Sequence, residues 1–409
     1  MYTAHFLMRE KDLIEYVKTS TDLFEDEEEL LWKDIGDGNV NYVSKVWSPA
    51  SGRSVVVKQA DTATRLSKRA LDLDRNRIEA ELLVYENKLA PGLVPEVYLY
   101  DPVMAAVIME DLSGLQIMRY ALMEEETFPL FSDNITDFMA KTLANTTDFV
   151  LPSAEKKALV GRFINPAMCD ISERLVYTDP YFTPATNTSI SPENLSFVND
   201  EYQKDERLLD EVAALKLDFM TNAQALIHGD LHTGSIFVDQ AHTKIIDPEF
   251  AFFGPIGYDV GNVLANLIFA WVRAYVRRDS NPTRNPEFLP WVQLAVEESI
   301  DQFIHKFGEI IKVRNTLGSF STHSFQKTYL RSLVSDSLGV TGLEINRRVI
   351  GTAKVVDVTT IKPTGLRALA ERILMEAARE FIINRTSFGS GADISETIRK
   401  IFEKSARWK

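Results

Sequence analysis

At 409 residues the chain is longer than one typical domain, so two lobes or domains are expected. Apolar residues make up 45% and charged residues 25%, the balance of a globular protein, and the formal charge of −14 argues against nucleic acid or an anionic membrane as partner. Cys169 stands alone, which excludes an internal disulfide and zinc sites built on cysteine pairs and fits a reducing cytoplasm.

Arg9-Glu10-Lys11-Asp12 places charge where a secretory signal would need an apolar stretch. Strand-type runs follow at Trp32 to Ile35, Val40 to Trp47 and Arg53 to Gln59. Gly36-Asp37-Gly38-Asn39-Val40-Asn41 lies between the first two. Glycines there let a backbone turn tightly against phosphates, although the same pattern makes an ordinary hairpin. Lys58 ends the apolar run Val55-Val56-Val57, either as an edge charge or as a buried cation awaiting a partner. Arg75 to Leu89 has helical spacing through Ile78, Leu82 and Tyr85, and stops at Pro91-Gly92. It carries Glu79 and Glu81, and a Lys–Glu pair is a requirement of phosphoryl transfer on this plan. Glu79, beside Ile78 on the apolar border, is the favoured partner, with Glu81 close behind. Val97 to Tyr100 and Ala105 to Met109 read as two further strands, so the amino-terminal third is strand-rich with one helix. Glu110-Asp111-Leu112 ends the last strand, offering backbone N–H and C=O groups to the edge of an adenine ring, or serving as a plain linker.

From Gly114 onward helices dominate: Asp133 to Phe149, Ala154 to Val176 and Arg207 to Ala225, with Thr178 to Asn199 read as a loop or insertion. His228-Gly229-Asp230-Leu231-His232 precedes the apolar Ile236-Phe237-Val238, and Asp247-Pro248-Glu249 follows Ile245-Ile246. Three carboxylates at the ends of two short buried strands are costly unless a divalent cation and a phosphorylated substrate neutralise them. Phosphoryl transfer needs both, together with an acceptor for a hydroxyl proton. Val260 to Val276 is the most apolar segment, but Asn262, Asn266 and Arg273 make it a core helix and not a membrane span. Asp259 suits its N-cap. Arg347 and Arg348, by residue type, face solvent or pair with Glu344. Pro363 opens a last helix with an apolar stripe from Leu366 to Phe381. The expected class is α+β, with a small β-rich lobe over residues 1–112 and a larger, mainly helical lobe over 113–409. There is no Gly-x-x-x-x-Gly-Lys-Ser/Thr loop and no His-Glu-x-x-His helix.

Taken in order, these motifs resemble the protein-kinase-like small-molecule kinases, the superfamily of aminoglycoside, choline and homoserine kinases. Within it, the resemblance is to the methylthioribose kinase family. Carrying it are Gly36 to Asn41, Met109-Glu110-Asp111-Leu112, His228 to Ser235, Asp247-Pro248-Glu249-Phe250-Ala251-Phe252, Gly254-Pro255 and the twin arginine of Asn346-Arg347-Arg348. Ser235 stands where the broader superfamily has a metal-binding Asn, a substitution that the extra carboxylate of Glu249 can offset. One family feature is absent: Asp61 to Leu73 holds no tryptophan.

The resemblance implies a bilobal protein-kinase-like fold that uses ATP and Mg²⁺ to phosphorylate the C1 hydroxyl of 5-methylthioribose, a small neutral sugar, in methionine salvage. It implies Asp230 as catalytic base, Asp247 and Glu249 as metal ligands, and Lys58 on the α/β-phosphates. Asn41, Glu79, Glu110, Asp111, Leu112 and Pro248 complete the nucleotide site, and Arg347 and Arg348 join Asp230 at the sugar. His228 would fix the loop, His232 would be a satisfied core histidine, and Asp259 would steady the catalytic loop. A homodimer is implied as well. The alternatives are a kinase of the same fold acting on 5-deoxyribose or homoserine, and a nucleotide-binding pseudokinase.

Overall fold

Strand and helix alternate first, and helix then takes over, in the computed structural model, which describes residues 2–36, 41–62, 72–185, 189–279 and 285–408. Most of the glycine-rich turn, residues 37–40, and residues 63–71 of the tryptophan-less segment lie outside these. The chain divides into two compact units, Met1–Leu115 with Lys244–Ala251, and Gln116–Thr243 with Phe252–Lys409.

The first unit is a five-stranded antiparallel sheet with helices. Its strands are β1 (Leu31–Asp34), β2 (Tyr42–Trp47), β3 (Ser54–Gln59), β4 (Val97–Asp101) and β5 (Ala106–Glu110), in the order β1-β2-β3-β5-β4. Alternation along β3 sends Val55 and Val57 to one face, where Val46, Ile108 and Met104 join them. A helix the sequence reading did not anticipate, α1 (Glu10–Ser20), covers that face with Leu13, Tyr16 and Val17. Its apolar residues are few and flanked by charge, which hides the stripe. Lys58 emerges on the opposite face, where α2 (Asp74–Leu89) buries Ile78, Glu79, Leu82 and Leu83.

The second unit is mainly helical. Helix Gly257–Arg277 is buried along nearly its whole length and packs on helix His323–Val349. Gly257 and Gly261 permit the approach, since a Cβ on either would stand 2.7 Å from backbone atoms of Asp336, Ser337 or their neighbours. The expected helix from Ala154 to Val176 is two helices, Ser153–Arg162 and Pro166–Leu175, because Pro166 cannot continue the first. The expected loop from Thr178 to Asn199 holds helical turns at Asp179–Phe182 and Pro192–Asn194 and runs into a third at Phe197–Tyr202. Buried Asn194 ties it down by donating to Glu371 at 3.1 Å and to the Ala368 carbonyl at 2.9 Å. Among the described residues no helix is long and apolar enough to cross a membrane.

Candidate active site

The first unit gathers Lys58, Glu79, Asp247, Glu249 and Asn41. Lys58 Nζ donates to Glu79 Oε1 at 2.6 Å and to Asp247 Oδ1 at 2.5 Å. Glu81 pairs instead with Arg77 on its own helix, which decides between the two candidate glutamates in favour of Glu79. Burial works against charge on Lys58, but Asp247, Glu79 and Glu249 outweigh it and hold the ammonium above its ordinary range. Burial pushes the Glu79 carboxyl up, with Lys58 opposing and Asp247 and Glu249 adding to the rise. Glu249 is raised for the same first reason.

Asp247 adopts a left-handed backbone, φ +66°, an uncommon conformation for a residue with a side chain. Strain of this kind costs on the order of 1–3 kcal/mol and persists where surrounding structure enforces it. Here the enforcing contacts are the Lys58 pair and the turn closed by the Ala251 N–H to the Pro248 carbonyl. The Asp247 side chain keeps 41% of its surface exposed, whereas Glu249 is buried.

Arg75 organises the rest and was not singled out in the sequence. It is buried, donates to Asn41 Oδ1 at 2.9 Å, and lies 3.5 Å from Glu249 Oε2, to which Asn41 Nδ2 donates at 3.1 Å. Its Nη1 also reaches the carbonyls of Asp61 and Asp72. The first unit therefore assembles Glu79, Asp247 and Glu249 against Lys58 and Arg75, more acidic groups than basic ones, which suits a hard cation. Among the described residues no cluster of three or more acids, histidines or cysteines could cage a metal alone. Mg²⁺ commonly takes one or two carboxylates plus substrate phosphates, and the exposed Asp247 beside Glu249 fits that mode.

Glu110, Asp111 and Leu112 follow β5 in the same unit. Glu110 accepts from Lys244 at 2.9 Å and Asp111 from Ser54 at 2.7 Å and Lys45 at 2.6 Å, so both carboxylates are engaged by protein. Of its backbone, the Glu110 N–H donates to the Glu96 carbonyl at 2.8 Å and the Leu112 carbonyl accepts from Leu115 N at 2.9 Å, so a ligand has the other N–H and C=O groups of the stretch to meet.

The second unit gathers Asp230, Arg347 and Arg348. Gly229, at φ +81°, makes the turn that precedes Asp230, and only glycine takes that conformation without cost. Asp259 holds the turn: its Oδ2 accepts from His228 N at 2.7 Å and its Oδ1 from Gly229 N at 2.9 Å. It lies inside helix Gly257–Arg277, not at its cap, because the helix starts three residues earlier than the apolar pattern indicated. His228 Nδ1 accepts from Asp230 N at 3.2 Å. His232 Nε2 lies 3.4 Å from Asp230 Oδ2, and its Nδ1 is 3.2 Å from Ser235 Oγ.

Arg347 and Arg348 stand three and four residues after Glu344, so both reach its buried carboxylate, at 3.2 and 2.6 Å. Arg347 Nη1 is also 3.8 Å from Asp230 Oδ1. Burial would raise the Asp230 carboxyl, but His232, Arg347 and Arg348 outweigh it and hold it at about 2. Burial lowers His232 to about 4, with Asp230 opposing. Asp230 is thus ionised at neutral pH and can accept a hydrogen bond from a hydroxyl.

The model of the phosphotransferase enzyme family matches residues 32–289. The methylthioribose kinase of Geobacillus thermodenitrificans (strain NG80-2) is 37% identical over 94% of each chain. The chain belongs to the methylthioribose kinase family. The member from Geobacillus kaustophilus (strain HTA426) is 38% identical, covering 94% of this chain and 93% of that one. The member from Escherichia coli O45:K1 (strain S88 / ExPEC) is 36% identical over 87% and 88%. Among solved structures, choline kinase from Cryptosporidium parvum Iowa II aligns over 97% of this chain and 94% of its own at 12% identity and a TM-score of 0.44.

Two residues of this family member escaped the sequence reading for one reason. Arg75 and Arg119 sit singly in helices, outside any motif, and only their contacts distinguish them from surface arginines. Low exposure cannot be read from such a position.

Proposed function

We propose that the chain transfers the γ-phosphoryl group of ATP to the C1 hydroxyl of 5-methylthioribose, giving ADP and 5-methylthioribose 1-phosphate for methionine salvage. What carries this reading is identity of 34–38% to relatives named methylthioribose kinase. The residues gathered within each unit support the following roles. Lys58, kept charged by Glu79 and Asp247, anchors the α/β-phosphates. Asp247 and Glu249 hold Mg²⁺, which when bound neutralises phosphate charge. Backbone groups of Glu110 to Leu112 receive the adenine edge, with Pro248 fixing the turn between the metal carboxylates.

Asp230 takes or orients the C1 hydroxyl proton, a contribution of about 10²–10⁴-fold for a positioned base. Arg347 and Arg348 bond sugar hydroxyls and offset charge developing on the phosphoryl oxygens. Glu344 keeps both guanidiniums fixed, so little ordering is left for the substrate to impose. The reading includes a homodimer, on family likeness, and a reducing cytoplasm, on the single cysteine.

The test is turnover on a panel of methylthioribose, 5-deoxyribose and homoserine, with the product identified by phosphorus NMR. A sugar 1-phosphate from methylthioribose is expected. Turnover of another acceptor with methylthioribose inert would overturn the substrate, and ATP binding without turnover of any acceptor would point to a pseudokinase.

A further inference from the structure

Gly234 sits in the catalytic loop, in the single 3₁₀ turn Thr233–Ser235, with a backbone that any residue can adopt. What constrains the position is space and not conformation: a side chain there meets the guanidinium end of Arg119, and the partners of Arg119 limit how far it can yield. A Cβ there would stand 2.8 Å from Arg119 Nη1 and 3.0 Å from His232 Cε1. Arg119 comes from the short helix α3 (Met118–Met123) and keeps only 15% of its side chain exposed.

Its other contacts run to the same loop. Arg119 Nη2 donates to Asn266 Oδ1 at 3.2 Å, and that oxygen also accepts from Thr233 Oγ1 at 3.0 Å and Thr233 N at 3.4 Å. On the far side Arg119 Nε lies 3.3 Å from Asp357 Oδ2, a carboxylate with 1% side-chain exposure. Asp357 is a buried counter-charge within ion-pair distance of Arg119. Asn266 and Gly234 thus bring the guanidinium to the Thr233–Gly234 end of the loop, while Asp259 holds its His228–Gly229 end.

We infer that Arg119 is a third arginine of the acceptor half-site, a positioning residue that braces the Thr233–Gly234 turn and through it Asp230, and that Gly234 is glycine to admit it. The inference rests on the proposed function. It adds a residue class that the twin arginine does not cover, because Arg119 acts on the loop and not on the sugar.

A double-mutant cycle of Arg119→Ala and Gly234→Ala tests it, read both as kcat on methylthioribose and as the unfolding midpoint without substrate. Each single variant should lose kcat by roughly 10- to 100-fold, as expected for a misplaced catalytic group, with KM for ATP within about twofold of wild type. In the double variant the added methyl enters the space vacated by Arg119, so kcat should be no lower than in the weaker single variant, and the midpoint losses should likewise fail to add. Losses that multiply in kcat and add in midpoint, or wild-type kcat in Arg119→Ala, would overturn the inference. A wild type inert on methylthioribose would sink the functional reading, and the bracing of the turn would then be judged by the midpoints alone, where losses that add would overturn it.

Discussion

Lys58 Nζ lies 2.6 Å from Glu79 Oε1, and both side chains are almost completely buried. A buried pair costs several kcal/mol of desolvation per ion, so it is weak evidence of net stability but a strong constraint on single substitutions. Lys58→Met would leave Glu79 and Asp247 without their shared cation. It should destabilise the nucleotide-free protein by about 3–5 kcal/mol, and Lys58→Met with Glu79→Leu should recover part of that. Denaturant unfolding of the three proteins checks this. A single variant as stable as wild type would show that the pair is not closed in solution.

Asp230→Asn removes the carboxylate we propose as proton acceptor while nearly preserving shape. Its kcat should fall roughly 10²-fold or more, with ATP affinity little changed, because Lys58, Asp247 and Glu249 are untouched. Steady-state kinetics alongside nucleotide titration separates the two quantities. Unchanged turnover would remove Asp230 from its role.

The motifs were legible because each is a cluster of polar residues against a short apolar run, punctuated by glycine or proline. Asp230, Asp247 and Glu249 stand out for that reason, and so does Lys58 at the end of three valines. Glu79 was favoured over Glu81 on helical phase, and the buried face through Ile78, Leu82 and Leu83 is the physical basis. Asp259 was misread as a cap because an apolar pattern does not mark where a helix begins when its first turn holds Gly257 and Tyr258. Arg75 and Arg119 were illegible since their roles depend on contacts distant in sequence, to Glu249 and to Asn266.

Asp259 offers a test of loop geometry apart from substrate contact. Asp259→Ala would strand the N–H groups of His228 and Gly229, at about 1–3 kcal/mol for each donor left unsatisfied. Unfolding midpoints should drop accordingly. Activity should fall further than stability alone explains, because Asp230 follows directly on the released turn. Hydrogen exchange at Gly229 gives an independent readout: its amide should exchange faster in the variant, and unchanged protection would show that another group holds the loop.

His232 links the loop to pH. Its folded value, lowered to about 4 chiefly by burial, lies beneath the 6.5 of a free imidazole. The unfolded chain therefore binds more protons than the folded one between those values, so stability rises with pH across that window. Its contribution is fully present above about pH 6.5 and is lost as pH falls towards 4, with a ceiling on the order of 3 kcal/mol. The Asp230 carboxyl, held at about 2, adds a second loss only below the ordinary carboxylate range. Urea unfolding of wild type and His232→Gln at pH 7, 5.5 and 4.5 isolates the histidine, since all other groups titrate in both. The stability gap should move in favour of the variant as pH falls. A gap constant with pH would mean that His232 titrates alike folded and unfolded, and that the loop leaves its imidazole open to water.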